Sequence, residues 1–131
     1  MILDSSAIIA IVKKEPDARA ISERIESELN CKASAATFVE SAIVVDSMRD
    51  PVVSRRLEEI FQESEIAIVP FDENQARIAR EAYRDFGKGS GHPARLNFGD
   101  CFAYALAKAL DEPLLYKGRD FAHTDVRPAL S

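Results

Sequence analysis

The sequence predicts an α/β fold in which a parallel sheet is covered by helices on both faces. Three observations carry that expectation. Short runs of strand length, Met1–Asp4, Cys31–Ser34, Ile66–Val69 and Pro113–Tyr116, alternate with longer segments of helical pattern, the order of βα units. The 131 residues are 47% hydrophobic, enough for one core without disulfides or a structural metal. No internal repeat and no linker divides the chain, so residues 1–131 are expected to form a single domain.

The first element is the apolar triplet Met1-Ile2-Leu3, closed by Asp4. Asp4-Ser5-Ser6 reads as a cap leading into a helix over Ala7–Val12, which puts Asp4 at the carboxyl end of a strand. Pro16 suits the first turn of a second helix, where Ile21, Ile25 and Leu29 recur at i, i+4 and i+8 as one apolar stripe. Cys31–Ser34 is the second strand. The helix Ala35–Met48 follows, so rich in Phe38, Val39, Ala42, Ile43, Val44 and Val45 that it is expected to be largely buried. Arg49-Asp50-Pro51 breaks it, Val52–Glu63 is amphipathic, and Ile66–Val69, stopped by Pro70, is the third strand.

Asp72–Phe86 is helical, with Ala76, Ile78, Ala79, Ala82, Tyr83 and Phe86 inward and Gly87 at its end. The glycine-dense run Gly87–Pro93 is expected to be a mobile surface loop near a site. Phe98–Leu110 is the last helix, Pro113–Tyr116 the fourth strand and Thr124–Val126 a candidate fifth.

Composition narrows the function. A net charge of −5 argues against broad, non-specific binding to nucleic acid, which rests on Lys and Arg neutralising phosphates. It does not exclude a nuclease whose carboxylates are offset locally by a metal. Any substrate track would then come from local groups such as Lys13, Lys14, Lys88, Arg95, Lys117 and Arg119. Cys31 and Cys101 lie far apart, with no CxxC spacing, which fits a reduced, cytoplasmic protein. No basic leader opens the sequence, and no apolar run nears the roughly 20 residues of a membrane span, so no membrane association is expected.

Four acids stand out: Asp4, Glu40, Asp100 and Asp120. In open α/β sheets ligands bind outside the carboxyl ends of the strands. Asp4 ends strand one, Asp120 follows strand four after a turn, and Asp100 opens the helix leading into that strand. Each alone reads as a cap or a turn residue. Glu40 interrupts the apolar run Thr37–Ile43, where a carboxylate is costly unless paired, protonated or bound to metal. Carboxylates gathered together repel one another, and a hard divalent cation such as Mg²⁺ relieves that repulsion. Ser5 or Ser6 is placed to orient Asp4.

Other chemistries fit less well. Gly87–His92 does not match GxxxxGK[ST], which excludes a P-loop NTPase. Ser5 and Ser6 lack a GxSxG elbow, and His92 and His123 lack a triad context, against a serine hydrolase.

The chain resembles the PIN-domain ribonucleases, and within them the VapC toxins of toxin–antitoxin pairs. The resemblance runs nearly end to end, through Ile2-Leu3-Asp4-Ser5-Ser6-Ala7, Glu40, Tyr83–Gly89, Leu96-Asn97-Phe98-Gly99-Asp100 with the helix behind it, and Leu114–Phe121. It implies a three-layer α/β/α fold with strand order 3-2-1-4-5, and endonucleolytic cleavage of RNA by metal-activated water with Mg²⁺ or Mn²⁺. It implies Asp4 and Asp100 as principal ligands, Glu40 and Asp120 completing the set, and Asn97 acting from behind. Lys88, Arg95, Lys117 and Arg119 are the candidate RNA contacts. Arg119 departs from the family pattern, which often carries an acid or amide there and bears on a second metal. A VapB-like antitoxin and a homodimer or hetero-oligomer are the implied partners, with the stripe of Ile21, Ile25 and Leu29 a candidate antitoxin surface. The alternatives are a Mg²⁺-binding receiver-like signalling domain, which would need an acceptor acid after strand three, and a catalytically inactive binding module.

Overall fold

Four short parallel strands, β1 (Ile2–Leu3), β2 (Lys32–Ser34), β3 (Ala67–Val69) and β4 (Leu114–Leu115), form the sheet of the computed structural model in the order β3-β2-β1-β4. Residues 1–130 are described. The helices between the strands are α1 (Ser5–Val12), α2 (Ala18–Glu26), α3 (Ala35–Asp46), α4 (Pro51–Glu63), α5 (Glu73–Phe86) and α6 (Phe98–Leu110).

Short polar side chains start five of these helices. Asp4, Ser34, Asp50, Asp72 and Asn97 each accept a hydrogen bond from a backbone N–H in the first turn, an interaction worth about 1 kcal/mol per cap. The exception is α2, where Asp17 makes no such bond and Pro16 lies before the helix rather than in its first turn.

Side-chain alternation along the strands divides the core. Ile2 and Leu114 point into one apolar cluster with Leu96, Leu106 and Phe121, while Leu3 and Leu115 point into the other with Ile8, Val12, Leu57 and Phe61. Both β1 and β4 therefore contribute to both faces, and helices cover both, giving three layers. From β1 the chain moves outward to β2 and β3, then returns to place β4 on the other side of β1. The direction of winding reverses between β1 and β4, and the crevice at their carboxyl ends is where such sheets bind ligands.

Four expectations are corrected. Thr124–Val126 forms no strand; the fifth position is a single parallel bridge between Leu114 and Pro128, flanked by Leu114 N–H to Arg127 O at 2.8 Å and Ala129 N–H to Leu114 O at 2.9 Å. Proline has no N–H to extend a ladder. Helix α3 is not largely buried. Thr37, Ser41 and Val45, about one residue per turn, are fully buried, Phe38 and Ala42 are partly buried against the core beside them, and Val39 and Ile43 are 56% and 65% exposed. The Ile21–Leu29 stripe is not a free surface: Ile21 and Ile25 are core, and Leu29 lies past the end of α2, exposed. The inward face expected of α5 holds at Ala82 and in part at Ile78, Ala79 and Phe86, whereas Ala76 and Tyr83 are exposed.

Candidate active site

Asp4 sits where β1 ends, its N–H bonded to the Leu115 carbonyl of β4 at 3.0 Å. Its Oδ2 accepts from the Ser6 N–H at 3.0 Å and the Ser6 hydroxyl at 2.6 Å. The same hydroxyl oxygen accepts the Lys117 N–H at 2.9 Å. Ser6 thus ties Asp4 to the turn after β4; between the two serines, it is Ser6 whose hydroxyl orients the acid. The carboxylate is 2% exposed, and its Oδ1 is buried without a hydrogen-bond partner. Burial pushes its pKa up to about 6, against the Ser6 bonds that lower it, with Glu40 adding to the rise.

Asp100 occupies the first turn of α6 in a reciprocal cap with Asn97. Asp100 Oδ2 accepts the Asn97 N–H at 3.0 Å while Asn97 Oδ1 accepts the Asp100 N–H at 2.9 Å. The cap orients one carboxylate oxygen. Burial again dominates the pKa, raised to about 7, with the Asn97 bond opposing and the charges of Asp4, Asp120 and Glu40 reinforcing.

Glu40 reaches across from α3 until its carboxylate lies against Gly99, beside Asp100 on α6. Its Oε1 is buried and unpartnered. Asp120 opens a 3₁₀ turn, Asp120–His123, after β4, and is exposed. All four predicted acids therefore stand within electrostatic reach: Asp4 feels Glu40, and Asp100 feels the other three. As the side chains stand, no three His, Cys, Asp or Glu residues among those described close into a ready cage for an ion. What the site offers is two buried oxygens, Asp4 Oδ1 and Glu40 Oε1, with no protein partner. Hard anionic oxygens of this kind fit a divalent cation such as Mg²⁺ or Mn²⁺, and soft metals much less.

The candidate basic residues are less uniform. The Lys117 ammonium pairs with Glu15 at 3.4 Å, and Arg119, next to Asp120, is exposed. Lys88 and Arg95 are exposed on the loop after α5, and Arg95 takes a left-handed φ of 53°. This loop is stapled at its base by Lys88 N–H to Leu96 O at 2.8 Å and Leu96 N–H to Phe86 O at 2.9 Å. Asp72 accepts from the Gln75 N–H at 2.9 Å as the cap of α5, so no acid after β3 is placed as a phosphoacceptor. Sequence reasoning passed over Gly99, against which the Glu40 carboxylate lies. A glycine inside a helix pattern beside a candidate acid was the available signal.

Phe98, 78% exposed, projects between two apolar hollows, one of about 470 Å³ between α3 and α6 and one of about 360 Å³ between α5 and α6. Val39 and Ile43 wall the first, which Glu40 also lines.

Comparison with known proteins places this geometry in context. The family model described as PIN domain matches residues 1–127. Ribonuclease VapC28 of Mycobacterium tuberculosis is 55% identical over 130 residues, covering 99% of this chain and 98% of that protein. Among solved structures, the sarcin-ricin loop cleaving toxin VapC20 of Mycobacterium tuberculosis superposes with a TM-score of 0.73 at 14% identity, over 97% of this chain and 98% of that one. A toxin–antitoxin complex from Klebsiella pneumoniae gives a TM-score of 0.68 at 15% identity, over 92% and 89%.

Proposed function

The chain belongs to the PIN-domain family and, within it, to the VapC ribonucleases, and from that premise we propose that it is a Mg²⁺- or Mn²⁺-dependent endoribonuclease, the toxin of a toxin–antitoxin pair. The observation that carries the metal dependence is the pair of buried, unpartnered oxygens on Asp4 and Glu40, beside an Asp100 held largely out of solvent. Burying charge without a partner is costly, and a cation removes that cost.

Asp4 and Asp100 would hold the ion, with Glu40 and Asp120 completing its surroundings. When bound, the ion supplies Lewis acidity and neutralises charge at the phosphoryl oxygens. The chain's own residues do the rest. Ser6 holds one oxygen of Asp4 and leaves the other, Oδ1, without a protein partner, while the Asn97 N–H holds one oxygen of Asp100. Arg119, beside Asp120 and exposed, contacts an RNA phosphate, as do Lys88 and Arg95 from the stapled loop. Lys117 joins them on release from Glu15. Such contacts hold the RNA backbone in place, whereas the sequence cleaved depends on how unpaired bases fit the surrounding loops.

The antitoxin is the proposed partner, by likeness to the relatives above. The exposed edge of Val39, Ile43 and Phe98 is assigned to a second copy of this chain. A projecting aromatic with hollows on either side can insert into its own twofold mate, as an isologous interface requires.

The proposal is tested by incubating the purified chain with structured RNA and Mn²⁺. Cleavage that stops with chelator and with Asp4→Asn or Asp100→Asn supports it; cleavage unaffected by both substitutions overturns it.

A further inference from the structure

Gly99 is the second residue of α6 and lies in regular helix, with no positive φ to require a glycine. Glycine at such a place weakens a helix relative to alanine. What it supplies is room. A β-carbon at position 99 would fall onto the Glu40 side chain, meeting its Cδ and both carboxylate oxygens. Glu40 and Gly99 also line the hollow walled by Ala36, Val39, Ile43, Val44, Phe98 and Phe102, and these apolar side chains offer no hydrogen bond to hold the acid in place. One of its oxygens is buried without any partner.

We propose that Gly99 is a positioning residue: its missing side chain is the slot that lets the Glu40 carboxylate cross from α3 onto the first turn of α6 and stand beside Asp100. This rests on the reading of Glu40 as one of the acids of the site. The position of the acid is set by steric walls rather than by hydrogen bonds, so the slot decides where it points. With alanine at 99 the end of the Glu40 side chain swings outward. The flexible side chain yields before the backbone does, and the fold persists while the acid leaves its neighbours.

The test is a double-mutant cycle on the full chain, read by binding of Mn²⁺ alone, followed by paramagnetic resonance, and separately by RNA cleavage. Gly99→Ala is expected to melt in chelator at or above the temperature of the parent and to bind Mn²⁺ about tenfold more weakly. In a Glu40→Ala background the same substitution is expected to cause no further loss, because the group it displaces is already gone. Parental Mn²⁺ affinity in Gly99→Ala overturns the inference, as does a further loss in the Glu40→Ala background. If Glu40→Ala itself leaves Mn²⁺ affinity unchanged, the inference falls together with the role of Glu40 in the proposed site, while Asp4→Asn and Asp100→Asn test the site independently.

Discussion

The Ser6 hydroxyl donates to the Asp4 carboxylate at 2.6 Å, the shortest link between α1 and the acid at the end of β1. The same oxygen accepts the Lys117 N–H, so one side chain fixes both the acid and the turn that leads to Asp120. Removing it costs a hydrogen bond to a charged group, about 1.5–3 kcal/mol, and frees Asp4 to change rotamer. Ser6→Ala is expected to lower stability by about that amount and cleavage by about tenfold or more, with Ser6→Thr retaining most of both. Ser5→Ala, which removes no hydroxyl bonded to Asp4, is the control. Urea denaturation and initial cleavage rates measure the two effects, and equal behaviour of Ser5→Ala and Ser6→Ala would count against the assignment.

Asp100 caps α6 and, in the proposed site, holds the ion, and the two parts are separable. Asparagine keeps an oxygen to accept the Asn97 N–H, so the reciprocal cap survives, while a negative charge buried beside Asp4 and Glu40 is removed. Asp100→Asn is expected to raise the melting temperature of the metal-free protein at neutral pH. It is expected to cut cleavage by about a hundredfold or more, the scale of losing one charged group at a reacting centre. A variant that is less stable and still active would overturn this division.

The strand–helix alternation was legible because each strand is a short apolar run and five helices begin at a capping side chain, at Asp4, Ser34, Asp50, Asp72 and Asn97. The acids were legible for the same reason: three of them lie at element ends, where the topology gathers them. Helix α3 was misread because hydrophobic content does not reveal how many faces a helix buries. Thr37 and Ser41 lie inside while Val39 and Ile43 lie outside, an inversion set by which face of α3 its neighbours cover. Gly99 gave a signal, a glycine in a helix pattern beside a candidate acid, but the contact that gives it meaning comes from Glu40 on another element, far away in sequence.

Acidity should stabilise the metal-free protein. In the folded state Asp4 and Asp100 have pKa values of about 6 and about 7, against the usual 3.8. The folded chain therefore holds more protons than the unfolded chain between these values. The resulting stability is full below the unfolded pKa and is lost as pH rises through the folded ones. In chelator, the melting temperature is expected to be higher at about pH 5 than at about pH 8, a difference reduced in Asp100→Asn. Mn²⁺ must displace the same protons, so its affinity rises over this range and binding releases protons, measurable by calorimetry in buffers of different ionisation enthalpy. A melting temperature that climbs steadily from acid to alkaline pH in chelator would refute the sign.

The exposed edge beside Glu40 leads to the last prediction. Val39, Ile43 and Phe98 are 56%, 65% and 78% exposed, on the faces of α3 and α6 that no other element covers. Contiguous apolar surface of this kind marks an interaction site rather than ordinary solvent-facing scatter. None of the three residues belongs to either buried core cluster, so charging them should leave the fold intact. Ile43→Glu and Phe98→Glu are expected to melt within a few degrees of the parent, as surface substitutions do. If the edge seats a second copy, each should shift sedimentation from dimer toward monomer, and the pair should abolish the dimer. A parent chain that sediments as a monomer at high concentration, or variants that remain dimeric, would remove the second copy from this edge without touching the acids behind it.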